Sequence, residues 1–165
     1  ISKKREEVAP IIRQLLAQPF DGLIIVDPDI QVLDQTLHEI KSIGIQSISI
    51  NKELSDALKD IPTDQRGRFA RSWLKDTIAG IQQDLIVCSN PDLLFHPVFK
   101  MDPFALICQL TRLKKIVFLW PGNYSSNVLS YAIPIHHHYR TREISDGQSF
   151  QPKVIIQQIS NRLGE

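Results

Sequence analysis

The stretch Asp84-Leu-Ile-Val-Cys-Ser-Asn-Pro-Asp-Leu-Leu-Phe95 decides the fold. Its apolar run, Leu85 to Cys88, is too short for a free helix and is closed by Ser89-Asn90-Pro91, which predicts a strand buried on both faces. In an α/β protein the carboxyl end of such a strand is where ligands bind, so Ser89, Asn90 and Asp92 stand at the first place to look for chemistry. An aspartate at the strand end would suit a metal ion, and Ser89 occupies that position instead.

The segments on either side have the matching periodicity. Upstream, Phe69, Trp73, Leu74, Ile78 and Ile81 follow Pro62 at helical spacing, with Arg66, Arg68 and Arg71 at the start of that helix. Downstream, Asp102-Pro103 opens a helix carrying Leu106, Ile107, Leu110 and Leu113, and Ile116 to Trp120 reads as another buried strand, stopped by Pro121-Gly122. Further out, Leu23 to Val26 is a strand ending at Asp27-Pro28, and a helix with Ile30, Leu33, Leu37, Ile40 and Ile43 closes on Gly44. Ile45 to Ile50 alternates as a half-wet strand, and residues 52–61 form a short helix.

At the ends, residues 3–18 predict an opening helix, Asn123 to Pro134 a loop, and His138 to Ile144 a fifth, edge strand. Val154, Ile155, Ile159 and Leu163 predict a closing helix over 152–163. Strands alternating with helices predict one α/β domain over 1–165, its core at 22–144, built on a mainly parallel five-stranded sheet between helical layers.

Composition limits the function classes. Nineteen basic and eighteen acidic side chains in 165 residues leave a formal charge of +1, so no global field draws the chain to nucleic acid or an anionic membrane. No run approaches the roughly 18 apolar residues of a membrane span, and residues 1–7 lack the apolar core of a signal peptide. Cys88 and Cys108 both sit in apolar runs, as reduced core thiols do, and a cytoplasmic location is the expectation.

Several enzymatic readings fail on residue type. A phosphate-binding loop needs glycines for close backbone approach and a lysine to reach the phosphates, yet the turn Asp27-Pro-Asp-Ile-Gln-Val-Leu-Asp34 has neither. It offers three carboxylates, and two like charges about 4 Å apart in a surface-like dielectric cost several kcal/mol. A dinucleotide fingerprint fails for the same want of glycine. His136-His137-His138 cannot all face one ion on an extended chain, and neither they nor His96 carry an acidic partner at metal-ligand spacing, so no metal is expected. Asp92 and Asp102 could in principle act as acid and base, but Asp102 before Pro103 is also an ordinary helix cap.

A set of short motifs carries a resemblance. Asn51-Lys-Glu-Leu-Ser55, Asp92-Leu-Leu-Phe95 with Pro97, Asp102-Pro103, Trp120-Pro-Gly122 and Leu129-Ser-Tyr-Ala-Ile-Pro-Ile-His136, ending in Tyr139-Arg140, resemble in order and spacing the BrxF family of BREX phage-defence systems. The resemblance runs from about Gly22 to Arg142 and implies a P-loop NTPase-like, RecA-type three-layer sandwich with strand order 5-1-4-3-2. It also implies where the family's catalytic parts would fall. The glycine-rich phosphate loop falls on Asp27 to Asp34 and keeps only Pro28, with Asp29 between; the phosphate lysine falls on Leu33 and the magnesium hydroxyl on Asp34. The Walker-B-like aspartate falls on Ser89, beside Asn90, and the acidic residue after it on Asp92.

With those parts altered, the resemblance implies a pseudo-NTPase without cofactor. The expected role is a protein-interaction or scaffold subunit of a phage-defence assembly, whose partners are other protein subunits, with nucleic acid met weakly or indirectly and no membrane contact. The expected contact surface is Trp120, Pro121, Gly122, Tyr131, Pro134, His136, Tyr139 and Arg140, at or beyond strand ends where binding loops gather. The alternatives are a sensor that binds ATP without turnover, with Lys52 as the nearest substitute lysine, and a nucleic-acid module. The latter would use Arg66, Arg68, Arg71, Lys114, Lys115, Arg140 and Arg142.

Overall fold

A computed structural model describes residues 2–132, 140–144 and 153–160. Among these, five helices of eight residues or more alternate with strands: α1 (Ser2–Leu16), β1 (Gly22–Asp27), α2 (Ile30–Ser42), β2 (Gln46–Ser49), α3 (Ile50–Ala57), α4 (Arg66–Ala79), β3 (Leu85–Ser89) and α5 (Pro103–Leu110). Four strands follow, β4 (Lys115–Ser125), β5 (Val128–Tyr131), β6 (Arg140–Glu143) and β7 (Val154–Gln158). Short helical turns at Thr63–Gln65, Asp92–Phe95 and Pro97–Phe99 complete the connections.

The protein is α/β with a mostly parallel sheet in the order β2-β3-β4-β1-β7. The central stretch is β3, as its apolar run predicts, paired in parallel with β2 on one side and β4 on the other. Because successive strand residues point to opposite faces, each buried strand feeds two cores. Ile24, Val26, Ile86, Cys88, Ile116 and Phe118 face α3, α4 and α5. Leu23, Ile25, Val87, Val117 and Leu119 face α1 and α2, where Val8, Ile12, Leu15 and Ile40 meet them. Local signals at helix ends also hold. Asp29 caps α2 by accepting from Gln31 N at 2.9 Å, Asp102 caps α5 from Phe104 N and Ala105 N, and Gly44 ends the α2 segment at φ +90°.

Three expectations are corrected. First, of the expected closing helix over 152–163, the part at Val154–Gln158 is a strand that runs parallel to β1, from Gly22↔Val154 to Val26↔Gln158, while residues 152 and 161–163 lie outside the described residues. The helical spacing of Val154, Ile155 and Ile159 was outweighed by the need of β1, buried along its whole length, for a partner on its second edge. The expected order 5-1-4-3-2 is therefore met with β7, not the 138–144 segment, in the fifth place.

Second, Pro121-Gly122 does not stop the fourth strand. β4 stays beside β1 as far as Asp27↔Pro121, then exchanges that partner for β5, with which it pairs antiparallel from Gly122↔Tyr131 to Ser125↔Val128. The expected loop over 123–134 is thus largely a hairpin, turned by Ser126 and Asn127 at φ +50° and +62°, the positive pair that a two-residue hairpin turn needs.

Third, the expected edge strand near 138–144 is β6, four residues long and antiparallel to β5, outside the parallel sheet. It is fastened to α5 by an ion pair of Arg142 with Asp102, and the Arg142 guanidinium lies 5.3 Å from the centroid of the Phe104 ring.

Candidate functional site

The carboxyl ends of β1, β3 and β4 bring together the residues expected at the phosphate-loop and Walker-B-like positions. Ile30, Leu33 and Asp34 from α2 face Ser89, Asn90, Pro91 and Asp92 after β3, with Leu119 and Pro121 of β4 beneath. The crevice between them has a volume of about 20 Å³, room for one water molecule and not for a phosphate chain.

Local bonding explains why it is closed. Only Pro28 and Asp29 connect β1 to α2, so Leu33 and Asp34 already belong to the helix, and no loop exists to wrap an anion. Leu33 is buried in the core with Val32 and Ile40. Asp27 is fully buried and its carboxylate is spent on the backbone: Oδ1 accepts from Asp29 N at 2.9 Å and Oδ2 from Ser160 N at 2.7 Å. The second bond, with Ile159 N donating to Val26 O at 3.0 Å, fastens the end of β7 to the carboxyl end of β1. Ser160 and β7 were not singled out by sequence reasoning, and the continuous β-branched run Val154-Ile155-Ile156 was the available signal.

On the other wall, Ser89 is buried and donates to Ile48 O at 3.3 Å, and Asn90, at φ +50°, donates from Nδ2 to Ser49 Oγ at 3.1 Å. Asp92 accepts from Tyr131 Oη at 2.8 Å through Oδ1, and from Asn51 Nδ2 at 3.4 Å through Oδ2. Asn51 in turn accepts from Leu93 N at 2.8 Å. Asp92 and Asp102 are therefore held by different partners, in a structural network and in a helix cap, and do not form an acid–base pair.

The Trp-Pro-Gly corner is not a surface. Trp120, Pro121, Gly122 and Tyr131 are all buried, which corrects the expectation that they present a contact face. Trp120 donates from Nε1 to Ser130 O at 3.0 Å and meets the Phe95 ring edge-on at 4.7 Å, while Tyr131 stacks on the other side of Phe95 at 3.8 Å. A Cβ on Gly122 would lie 1.8 Å from Ser130 O, so glycine is required for the two hairpin strands to close. Large aromatics followed by Pro-Gly fill the junction between the parallel sheet and its antiparallel extension. Pro134, His136 and Tyr139, with the rest of the histidine run, lie outside the described residues, and Arg140 opens β6 opposite Tyr131.

The titratable groups follow from burial. Desolvation, with a smaller contribution from the charge of Glu53, pushes the Cys88 thiol up to about 12. Burial, then the hydrogen bond and charge of Asp92, holds the Tyr131 phenol well above its usual range. Cys108, expected to be buried, is only partly so, and burial raises its thiol against a smaller lowering by Arg112. Among the described residues no group of three or more His, Cys, Asp or Glu side chains is placed to hold a metal, and no helix is long and apolar enough to cross a membrane.

The cations proposed for nucleic acid do not share one face. Lys114 and Lys115 lie at the amino end of β4, Arg142 is paired with Asp102, and Arg66 turns back to donate from Nε to Ile61 O at 3.0 Å. Comparison with models of known protein families, with curated proteins and with solved structures found no match.

Proposed function

We propose that the chain is a non-catalytic interaction subunit built on a RecA-type, P-loop-like sheet that has lost its nucleotide site. The observation that carries this reading is the filled crevice between α2 and β3. A working phosphoryl-transfer site needs glycines to wrap the phosphates, a lysine on the β/γ-phosphates and a metal held from the neighbouring strand. Here a two-residue connection, the buried Leu33 and an Asp27 engaged by the end of β7 stand in those places. The same closure disfavours the ATP-sensing alternative, because a bound triphosphate would have to unpack Leu33 and widen a crevice of about 20 Å³. The dispersal of the cations disfavours an extended nucleic-acid face.

The placement in a phage-defence assembly of BREX type rests on the ordered motifs that resemble the BrxF family. The fold adds a compatible element: those motifs include Asp92, Phe95, Trp120 and Tyr131, which meet in one network of three buried aromatics and a half-buried carboxylate. Residues of that kind fix a scaffold, and a scaffold without a reaction presents surface.

The test is steady-state phosphate release and magnesium-ATP titration calorimetry on the purified chain, alone and mixed with the proteins encoded beside it. The expected result is neither turnover nor binding, together with a stable complex on size-exclusion chromatography. Turnover above background that disappears on Lys52→Ala would overturn the reading.

A further inference from the structure

The described surface carries one open groove that the site above does not use. It runs between the start of α4 with the turn before it and the turn Pro97–Lys100, has a volume of about 1030 Å³, and is walled by Arg68, Arg71 and Lys100. Ile61, Phe69 and Val98 give it an apolar floor, and Asp64 is its one acidic lining residue among those described. A second depression of about 340 Å³ lies on the other side of the same turn, shares Val98 and Phe99 with the first, and adds Lys59, Arg66 and His96.

We propose that this pair of depressions is the docking surface for an acidic peptide segment of a partner protein, its carboxylates on the two walls and its apolar side chains on the floor. This rests on the interaction reading above and names where and to what the chain binds.

Charge complementarity carries the argument. Five lysines and arginines line the two depressions against a single carboxylate, in a chain whose formal charge is only +1. Lys59 pairs with Asp56 at 3.6 Å, but Arg68, Arg71 and Lys100 make no ion pair with any described residue. Cations with no ion-pair partner among the described residues, set around an apolar trough, are matched by an extended peptide whose apolar side chains leave by the face laid on the floor while its acidic side chains leave by the opposite face, towards the charged walls. The groove is also fixed in shape before binding. Gly67 packs so closely on the turn that a Cβ there would lie 2.4 Å from Phe99 O, and Lys100, at φ +48°, carries the chain sharply out of the turn.

A nucleic acid fits less well. Single-strand binding relies on successive rings with an open face for base stacking, whereas Phe99 is buried and Phe69 is the one partly open phenylalanine that lines the groove.

The test is fluorescence anisotropy with the whole chain and three labelled probes: a short peptide of alternating glutamate and leucine, the same peptide with lysine for glutamate, and an oligodeoxythymidylate of similar length. The glutamate peptide is expected to bind, the lysine peptide not. Arg68→Glu with Arg71→Glu is expected to weaken binding at least ~10-fold, and Lys100→Glu, on the opposite wall, to weaken it without touching the helix. Lys114→Glu, at the far end of the sheet, should leave it unchanged.

Equal binding of the two peptides, tighter binding of the oligonucleotide, or indifference to both groove variants would overturn the proposal. A partner complex that survives the groove variants sinks this surface and leaves the interaction reading standing. Nucleotide turnover sinks that reading and leaves the peptide result intact.

Discussion

The phenol of Tyr131 donates to Asp92 across 2.8 Å while its ring lies flat on Phe95, so the antiparallel hairpin is tied to the turn that follows β3 by one side chain. A hydrogen bond to a charged acceptor contributes about 1.5–3 kcal/mol. Tyr131→Phe is expected to lower stability by about that amount in urea unfolding while keeping the stack. In a double-mutant cycle with Asp92→Asn, the two losses should fall short of adding by about 1 kcal/mol. Strict additivity would mean that the two groups act independently.

Asp27 bonds two backbone amides, and replacing it separates its roles. Asp27→Ala removes the acceptor of both donors in a part-buried setting, which is expected to cost about 1–3 kcal/mol. Asp27→Asn keeps one acceptor and should cost less. Hydrogen exchange of the amides in Val154–Gln158 should accelerate in both variants, because the end of β7 loses its anchor.

Gly122→Ala is expected to destabilise by about 2–4 kcal/mol, since the new methyl would meet the carbonyl of Ser130 and backbone cannot swing aside as a side chain can. The measurement is the midpoint of chemical unfolding. A neutral effect would show that the junction of β4 and β5 is looser than its geometry implies.

Leu33→Lys puts a lysine at the position that the family resemblance assigns to the phosphate lysine. It is expected to give no ATP hydrolysis and to cost about 2–4 kcal/mol, because a buried leucine becomes a cation among Val32, Ile40 and Leu119. Phosphate release together with thermal unfolding tests both halves.

Stability should fall in alkali in a definite window. The Cys88 thiol has an unfolded value of about 9.0 and a folded one of about 12, so the folded chain keeps a proton that the unfolded chain gives up. That contribution is complete below pH 9 and is lost as pH rises towards 12. Tyr131, also raised, acts in the same direction. Cys88→Ala should flatten the decline by at most about 1.4 kcal/mol per pH unit, read from urea midpoints across the window.

The sheet was legible where strands are apolar on both faces, because only a buried parallel strand tolerates runs such as Leu23 to Val26 and Leu85 to Cys88. Helix starts at Asp29 and Asp102 were legible from capping chemistry. What escaped depends on tertiary partners. Val154 to Gln158 fits either period until β1 needs an edge, and the Ser126-Asn127 turn lacks the glycine that advertises a hairpin. At the site, residue types alone excluded a phosphate loop, but the buried state of Trp120 and Tyr131 was not readable, since an aromatic serves a core or a contact equally well. The groove beside α4 joins two separated stretches, 61–72 and 98–100, and in the sequence only its arginines stood out.

The pairing of β1 with β7 sets a timetable for synthesis. Lys153 N bonds to Asp21 Oδ2 from 132 residues away. At a translation speed of ~5–20 residues per second, the outer edge of β1 waits roughly 7–26 s for the strand that covers it. Throughout that interval a nascent chain on the ribosome displays an apolar strand with unmet amide and carbonyl groups, a template for pairing with a neighbouring nascent chain. The parallel sheet therefore closes only once translation has passed its last strand, and a polypeptide halted before residue 153 is left as a sticky fragment for chaperones and proteases to clear.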